Sequence, residues 1–222
     1  MSEKVLIVAP HPDDETLGCG GTILKHKNKG DDIYWLIVTK MTEASGFTKK
    51  EISIRDKEIS LVSKKYSFKS KIQFPFETTK LDQYSLNEII NHFDKSILKI
   101  KPSIIYMPYY YDVHSDHRII FQAVMSCTKQ FRKKFIKSLR AYETLSETEF
   151  GLENSSSFKP NLFVNIDKYM KKKLSIARLY KSEIKSHPFP RSEKAMLALA
   201  TLRGSMSNSN YAESFIILKE VR

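Results

Sequence analysis

Over its first half the chain repeats one pattern, a short unbroken apolar run followed by a longer amphipathic stretch. The runs at 4–9, 33–38 and 103–107 lack the polar alternation of a half-exposed strand, so each predicts a strand buried on both faces. Between them the spacing predicts helices over 16–29, ended by Gly30, and over 50–65, 85–99 and 116–129. In the third of these, Leu86, Ile89, Ile90, Phe93 and Ile97 recur at helical spacing. A weaker strand at 71–74 separates the second and third helices. The rest predicts strands at 138–142, 162–166 and 214–219, with a polar loop through Ser155-Ser156-Ser157. Asp167 is placed to cap a long helix to about 186, which His187-Pro188-Phe189-Pro190 breaks before a last helix at 192–202. Buried strands alternating with helices require a covered sheet. The expected fold is α/β and Rossmann-like, a mainly parallel sheet with helices on both faces, in a single domain spanning 1–222.

Composition narrows the function classes. The 222 residues carry 37 Lys+Arg against 25 Asp+Glu, a net charge of +12 that suits nucleic acid, an anionic surface or a phosphorylated small molecule. The basic blocks at 129–140 and 168–173 carry no base-reading motif, so they are read as solvated helix faces and no nucleic-acid partner is expected. Two cysteines, Cys19 and Cys127, are too few for a disulfide framework and fit a reducing compartment. No run approaches the roughly 20 apolar residues of a membrane span, and the first apolar run is too short for a signal-peptide core. The expectation is a cytoplasmic protein whose mature chain starts where the sequence does; oligomeric state is not legible.

Ligands of open parallel sheets bind beyond the carboxyl ends of the strands. After the first strand comes His11-Pro12-Asp13-Asp14-Glu15, and after the 103–107 strand come Asp112-Val113-His114-Ser115-Asp116-His117. Three of the six histidines fall in these two segments. Histidine and carboxylate are the ligand set of catalytic zinc, which needs three protein ligands and an open position. The plainer alternative is helix capping, by Asp13 and Asp14 for one helix and by Asp116 for the next. His26, His92 and His187 lie on or beside helices and are assigned to surface or packing. Gly18-Cys19-Gly20-Gly21 lacks phosphate-loop spacing and is read as a close approach of the first helix to the sheet.

These motifs resemble the PIG-L/LmbE-like family of metal-dependent de-N-acetylases, in a bacterial branch. The family pairs a His-Pro-Asp-Asp-Glu motif after its first strand with a later Asp-x-His-x-Asp-His, here 11–15 and 112–117. Arg55-x-x-Glu58, Tyr180-x-Ser182 and Tyr211-Ala212-Glu213-Ser214-Phe215 extend the likeness, as do segments 142–149, 158–161 and 187–192. Ser115, Glu183 and Lys40-Met41-Thr42 depart from the family's usual Pro, Gln and Gly-containing turn.

The resemblance implies that His11, Asp14 and His117 hold one divalent metal. Zinc is expected, with iron, cobalt or manganese chemically acceptable to such a ligand set. It implies Asp13 as general base and His114 as an imidazolium facing the developing oxyanion, oriented by Asp112 or Asp116. The implied substrate is a small N-acetylated amino sugar, free, nucleotide-linked or carrier-linked, hydrolysed to amine and acetate. Arg55 is a candidate contact for a sugar hydroxyl or phosphate, or else a partner of Glu58 or Glu51. Tyr109, Tyr110, Tyr111 and Tyr142 are candidates to line the pocket, or to pack. The alternatives are an amidase for another acyl group and, in a different class, a basic protein binding nucleic acid or an anionic surface.

Overall fold

The computed structural model describes residues 2–151 and 157–221; Ser155 and Ser156 of the expected polar loop lie outside the described residues. The elements are β1 (Lys4–Ala9), α1 (Asp14–Lys29), β2 (Asp32–Lys40), α2 (Lys49–Tyr66), β3 (Ser70–Glu77), α3 (Leu86–Ile100) and β4 (Ile104–Met107). They continue as α4 (Ser115–Cys127), β5 (Ser138–Tyr142), β6 (Leu162–Asn165), α5 (Met170–Ala177), α6 (Glu193–Ser205) and β7 (Ala212–Glu220). One seven-stranded sheet has the order β3-β2-β1-β4-β5-β7-β6. The first five strands in that order pair in parallel, and β7 runs antiparallel to both β5 and β6. The expected α/β sheet is therefore present, with an antiparallel edge.

Strand periodicity explains why the apolar runs do not alternate. On β1, Leu6 and Val8 enter one core with Phe93 and Ile97 of α3 and Ile120 and Val124 of α4. Val5, Ile7 and Ala9 enter the opposite core with Ile23 of α1 and Ile59 and Val62 of α2. Successive side chains point to opposite faces, so a strand covered on both sides has no polar position. The chain runs outward from β1 to β2 and β3, then returns to place β4 on the other side of β1. Such a reversal opens a crevice at the carboxyl ends of the two central strands. The segments after β1 and β4 therefore meet although about a hundred residues separate them.

The α1 glycines serve close packing, as their sequence context suggests. A Cβ on Gly18 would overlap the Tyr142 ring, and one on Gly21 would lie 2.7 Å from Ile166 Cγ2. Gly30 ends the helix in the left-handed region at φ 86°. The two basic blocks are not uniform solvated faces. Each gives a lysine to the interior, Lys133 to Asp94 and Lys173 to Glu213.

The region after β6 differs from expectation. α5 stops at Ala177 instead of running to about 186. The chain tightens there through Leu179 N–H to Ile176 O and Tyr180 N–H to Ala177 O, which turns Tyr180 into the core. Asp167 does not cap α5; its carboxylate accepts the Tyr211 N–H at 2.6 Å and ties that segment to the start of β7.

Alanine at position 18 isolates the packing argument. Helix propensity favours Gly18→Ala by up to about 1 kcal/mol. Overpacking against a buried ring costs about 1–3 kcal/mol. Net destabilisation is expected, read as a lower urea midpoint with an unchanged slope; a raised midpoint would remove the close-approach role.

Candidate active site

β1 delivers His11, Pro12 and Asp13 to the mouth of the crevice. Asp13 occupies the position before α1 with φ 139° and ψ −29°, and its side chain makes no capping bond. A non-glycine residue held there stores about 1–3 kcal/mol, and persists only where neighbours over-determine it. Arg55 does so from below, its Nη1 donating to the Pro12 carbonyl at 2.7 Å. Glu15 does so from the side: Oε2 accepts the Asp13 N–H at 3.1 Å, while Oε1 accepts the Tyr180 hydroxyl at 2.8 Å. The capping alternative fails for both aspartates, because the Asp14 carboxylate accepts the His11 N–H at 2.8 Å.

The segment after β4 supplies the other half. His117 Nδ1 lies 2.7 Å from Asp112 Oδ2, and Asp112 Oδ1 accepts the Thr148 hydroxyl at 2.7 Å. His117 Nε2 is buried without a hydrogen-bond partner and lies 3.4 Å from Asp14 Oδ2. His11 repeats the arrangement. Its Nε2 is 3.0 Å from Asp116 Oδ2, and its Nδ1 is 3.4 Å from the same Asp14 oxygen. Asp116 is itself fixed by the N–H groups of Thr79 at 2.9 Å and Leu81 at 3.4 Å.

Two trios place candidate ligand atoms within 4.8 Å of one another: His11, Asp14 and His117, and His11, His114 and Asp116. Hydrogen bonding separates them. In the first, each imidazole has one nitrogen on a supporting carboxylate and the other turned to Asp14. That is the habitual arrangement around a histidine-bound metal. In the second, Asp116 is committed to Thr79, Leu81 and His11. His114 Nδ1 also accepts the Asp116 N–H at 3.1 Å, so it is spent. The first trio fits a divalent cation.

The family profile described as "PIG-L: GlcNAc-PI de-N-acetylase" matches residues 6–128, which hold both halves of this site. The chain belongs to the PIG-L family. It is 30% identical over 224 aligned positions to a diacetylchitobiose deacetylase of Thermococcus kodakarensis, covering 95% of this chain and 81% of the relative. It is 26% identical to a probable N-acetyl-alpha-D-glucosaminyl L-malate deacetylase 2 of Bacillus anthracis, covering 81% and 80%. Its fold superposes with a TM-score of 0.79 on the N,N'-diacetylchitobiose deacetylase of Pyrococcus horikoshii. That structure is 23% identical, with 98% of this chain and 84% of the other aligned.

Burial sets the electrostatics of this PIG-L site. It opposes ionisation of Asp14, but the facing His117 and His11 prevail and hold the carboxyl far below its usual range. Burial likewise opposes protonation of the two imidazoles. Asp116 and Asp14 nevertheless carry His11 up to about 9, and Asp14 and Asp112 raise His117. Without a cation, protons occupy this cluster, so metal binding must displace them. Asp13 is driven well above the carboxylate range by burial and by the Asp14 charge, against the pull of Arg191 and Arg55. Burial, then the charges of His11 and His117, push His114 down to about 4.

A cavity of about 500 Å³ opens beside Asp13, Asp14 and His114. Met41, Phe47 and Ile52 form its apolar wall, and Glu147 and Arg191 stand among its polar residues.

Several expectations need correction. The carboxylates of Asp112 and Asp116 do not orient His114 as an imidazolium. Its Nδ1 accepts a backbone N–H, which favours the neutral ring with its proton on Nε2. The Asp116 carboxylate supports His11 instead, and Asp112 supports His117. Tyr142 does not line the cavity; it is fully buried and donates to the Val8 carbonyl at 2.8 Å. Tyr111 is absent from the lining and packs edge-on against Tyr109 and Tyr110. Arg55 does line the cavity, but its guanidinium is taken by Pro12, Ser182 at 2.9 Å, Glu183 and Glu58, which leaves it holding the loop. Glu51 closes a capping box with Thr48.

Arg191 and Glu183 are site residues that the sequence reading did not single out for a role. Arg191 Nη1 lies 3.5 Å from Asp13 Oδ2, and its Nη2 lies 3.2 Å from Glu183 Oε2. No spacing rule points to them, since both come from the irregular segment between α5 and α6. The sequence signals are their place within or beside the late segments that resemble the family and, for Glu183, its departure from the family's usual Gln.

Two outcomes test this geometry. Asp112→Ala should weaken metal binding about 10–100-fold through loss of the His117 support. Competition with a chromogenic chelator reads this, and unchanged affinity would detach Asp112 from the site. The His114 imidazole, neutral above about 4, should show no titration in NMR spectra between pH 5.5 and 8.5. A bound cation adds positive charge and shifts its protonation lower still. An inflection near pH 7 assigned to His114 would restore the imidazolium.

Proposed function

We propose that this chain is a zinc-dependent de-N-acetylase that hydrolyses the acetamide of an N-acetylated amino sugar to a free amine and acetate. The observation that carries the reading is the convergence of His11 Nδ1 and His117 Nε2 on Asp14 Oδ2, with Asp13 and His114 beside them on one cavity. The sugar specificity is supported by the names of the relatives, a diacetylchitobiose deacetylase and a probable N-acetyl-alpha-D-glucosaminyl L-malate deacetylase 2.

His11, Asp14 and His117 would hold the cation. Two neutral imidazoles and one carboxylate leave a divalent ion net positive, which acidifies water and polarises a carbonyl oxygen when it is bound. Asp13 takes a proton from the attacking water. Its raised proton affinity suits that task and the later delivery of the proton to the amine nitrogen, without which the amine is a poor leaving group. Arg191 bounds the position of the Asp13 carboxylate, and Glu15 fixes the Asp13 backbone. His114, neutral and held through Nδ1, presents its Nε2–H to the oxygen on which charge develops. Phe47, Met41 and Ile52 offer an apolar wall to the sugar face.

Metal-loaded protein should release acetate from an N-acetyl amino-sugar panel, and a chelator should abolish release. A panel-wide absence of acetate from protein of verified metal content would reject the reaction. Asp13→Ala should retain metal and lose about 10²–10⁴-fold in kcat, the range of a positioned proton-transfer group. His117→Ala should lose metal and activity together, so full occupancy in that variant would remove His117 from the ligand set.

A further inference from the structure

The segment between α5 and α6 has two sides. Glu183 and Arg191 face the catalytic cavity. Their immediate neighbours Ile184 and Ser192 line a second, open groove of about 520 Å³. The two spaces are thus separated at these points by a single thickness of chain. Four basic side chains, Arg178, Lys181, Lys185 and Lys194, border the groove against one acidic side chain, Glu193. That acid is neutralised in place, because Arg178 donates to both its oxygens at 2.6 and 2.7 Å. Lys181, Lys185 and Lys194 carry no ion pair among the described residues.

The contrast with the cavity is informative. Its guanidinium groups, Arg55 and Arg191, are both paired with Glu183. The free positive charge of this loop lies on its outer side. The loop is also well fixed for binding. The Lys181 N–H donates to Glu58 Oε1 at 2.9 Å, and Phe189 lies against both Lys185 and Arg191, with cation-to-ring distances of 5.1 and 5.5 Å. Ammonium groups bordering one open groove make a site for a multiply charged anion, and phosphoryl oxygens meet them with negative charge and several acceptors.

We propose that this groove binds phosphoryl groups, and that it seats the phosphorylated part of an extended substrate whose N-acetyl amino sugar enters the neighbouring cavity. The second clause rests on the deacetylase reading; the first does not. A neutral oligosaccharide would gain nothing from three unpaired lysines, whereas a nucleoside diphosphate sugar or a phosphorylated lipid-linked sugar would.

The test uses the metal-loaded full chain and the variant Lys181→Ala/Lys185→Ala, neither residue being part of the catalytic machinery. Inorganic pyrophosphate binding is measured by calorimetry. In parallel, kcat/KM for acetate release is measured on UDP-N-acetylglucosamine and on neutral diacetylchitobiose. Pyrophosphate should bind the wild type and bind at least tenfold more weakly to the variant. The ratio of kcat/KM for the nucleotide-linked over the neutral substrate should fall by a similar factor, with the neutral substrate unaffected. Pyrophosphate binding that is absent, or equal in the two proteins, overturns the groove. Binding lost in the variant with no change in the substrate ratio overturns the substrate clause and leaves a site for a free anion. Binding lost in the variant with no acetate from either sugar overturns the substrate clause while the groove stands, and the wider sugar panel then decides the deacetylase reading.

Discussion

One buried oxygen, Asp14 Oδ2, organises the site. A carboxylate taken out of water costs several kcal/mol unless it is paired and hydrogen-bonded. Here the compensation is specific: the His11 N–H donates to it, and His11 Nδ1 and His117 Nε2 both turn towards it. Neither imidazole finds this orientation alone. Asp116 holds one from its far side and Asp112 holds the other. The result is a cluster with more acid than base, a stable arrangement only where protons or a divalent cation complete it.

The surrounding fold serves that cluster by fixing α1. The helix starts at Asp14 itself, so any shift of α1 shifts the ligand. Gly18 lets the helix lie against Tyr142, whose hydroxyl reaches the Val8 carbonyl of β1. Lower down, Glu213 accepts the N–H groups of Gly21 and Thr22 at 2.8 and 2.7 Å, and Lys173 donates to the Leu17 carbonyl at 2.8 Å. A buried ion pair between Glu213 and Lys173 thus ties the last strand and α5 to the helix that carries the ligand. Such a pair contributes little net stability but is strongly destabilising to break, which suits a fixing role.

Asp13 is the strained counterpart to this rigidity. Its backbone sits at positive φ while its side chain stands over the cavity without capping the helix. The residues that hold it are its near neighbour Glu15 in α1 and two distant ones, Arg55 in α2 and Arg191 before α6. Arg55 shows how a site residue changes meaning with its surroundings. A lone arginine near a sugar pocket suggests substrate recognition, but this one is enclosed by Pro12, Ser182, Glu183 and Glu58.

Burial on both faces was written into the unbroken run of β1, since no polar side chain interrupts it. The strand-end positions of His11, Asp14 and His117 followed from the strand and helix order, because a parallel sheet leaves only one end for ligands. Tertiary structure decided which carboxylate serves which imidazole. His11 and Asp116 meet across 105 residues, and the sequence offers Asp112 and Asp116 as equal candidates. It also decided that His114 is held by a backbone N–H, that Tyr142 is a core residue, and that α5 ends early to turn Tyr180 towards Glu15. Periodicity records which side chains avoid water. The choice among polar partners depends on distances of a few tenths of an ångström, and only the packed chain sets those.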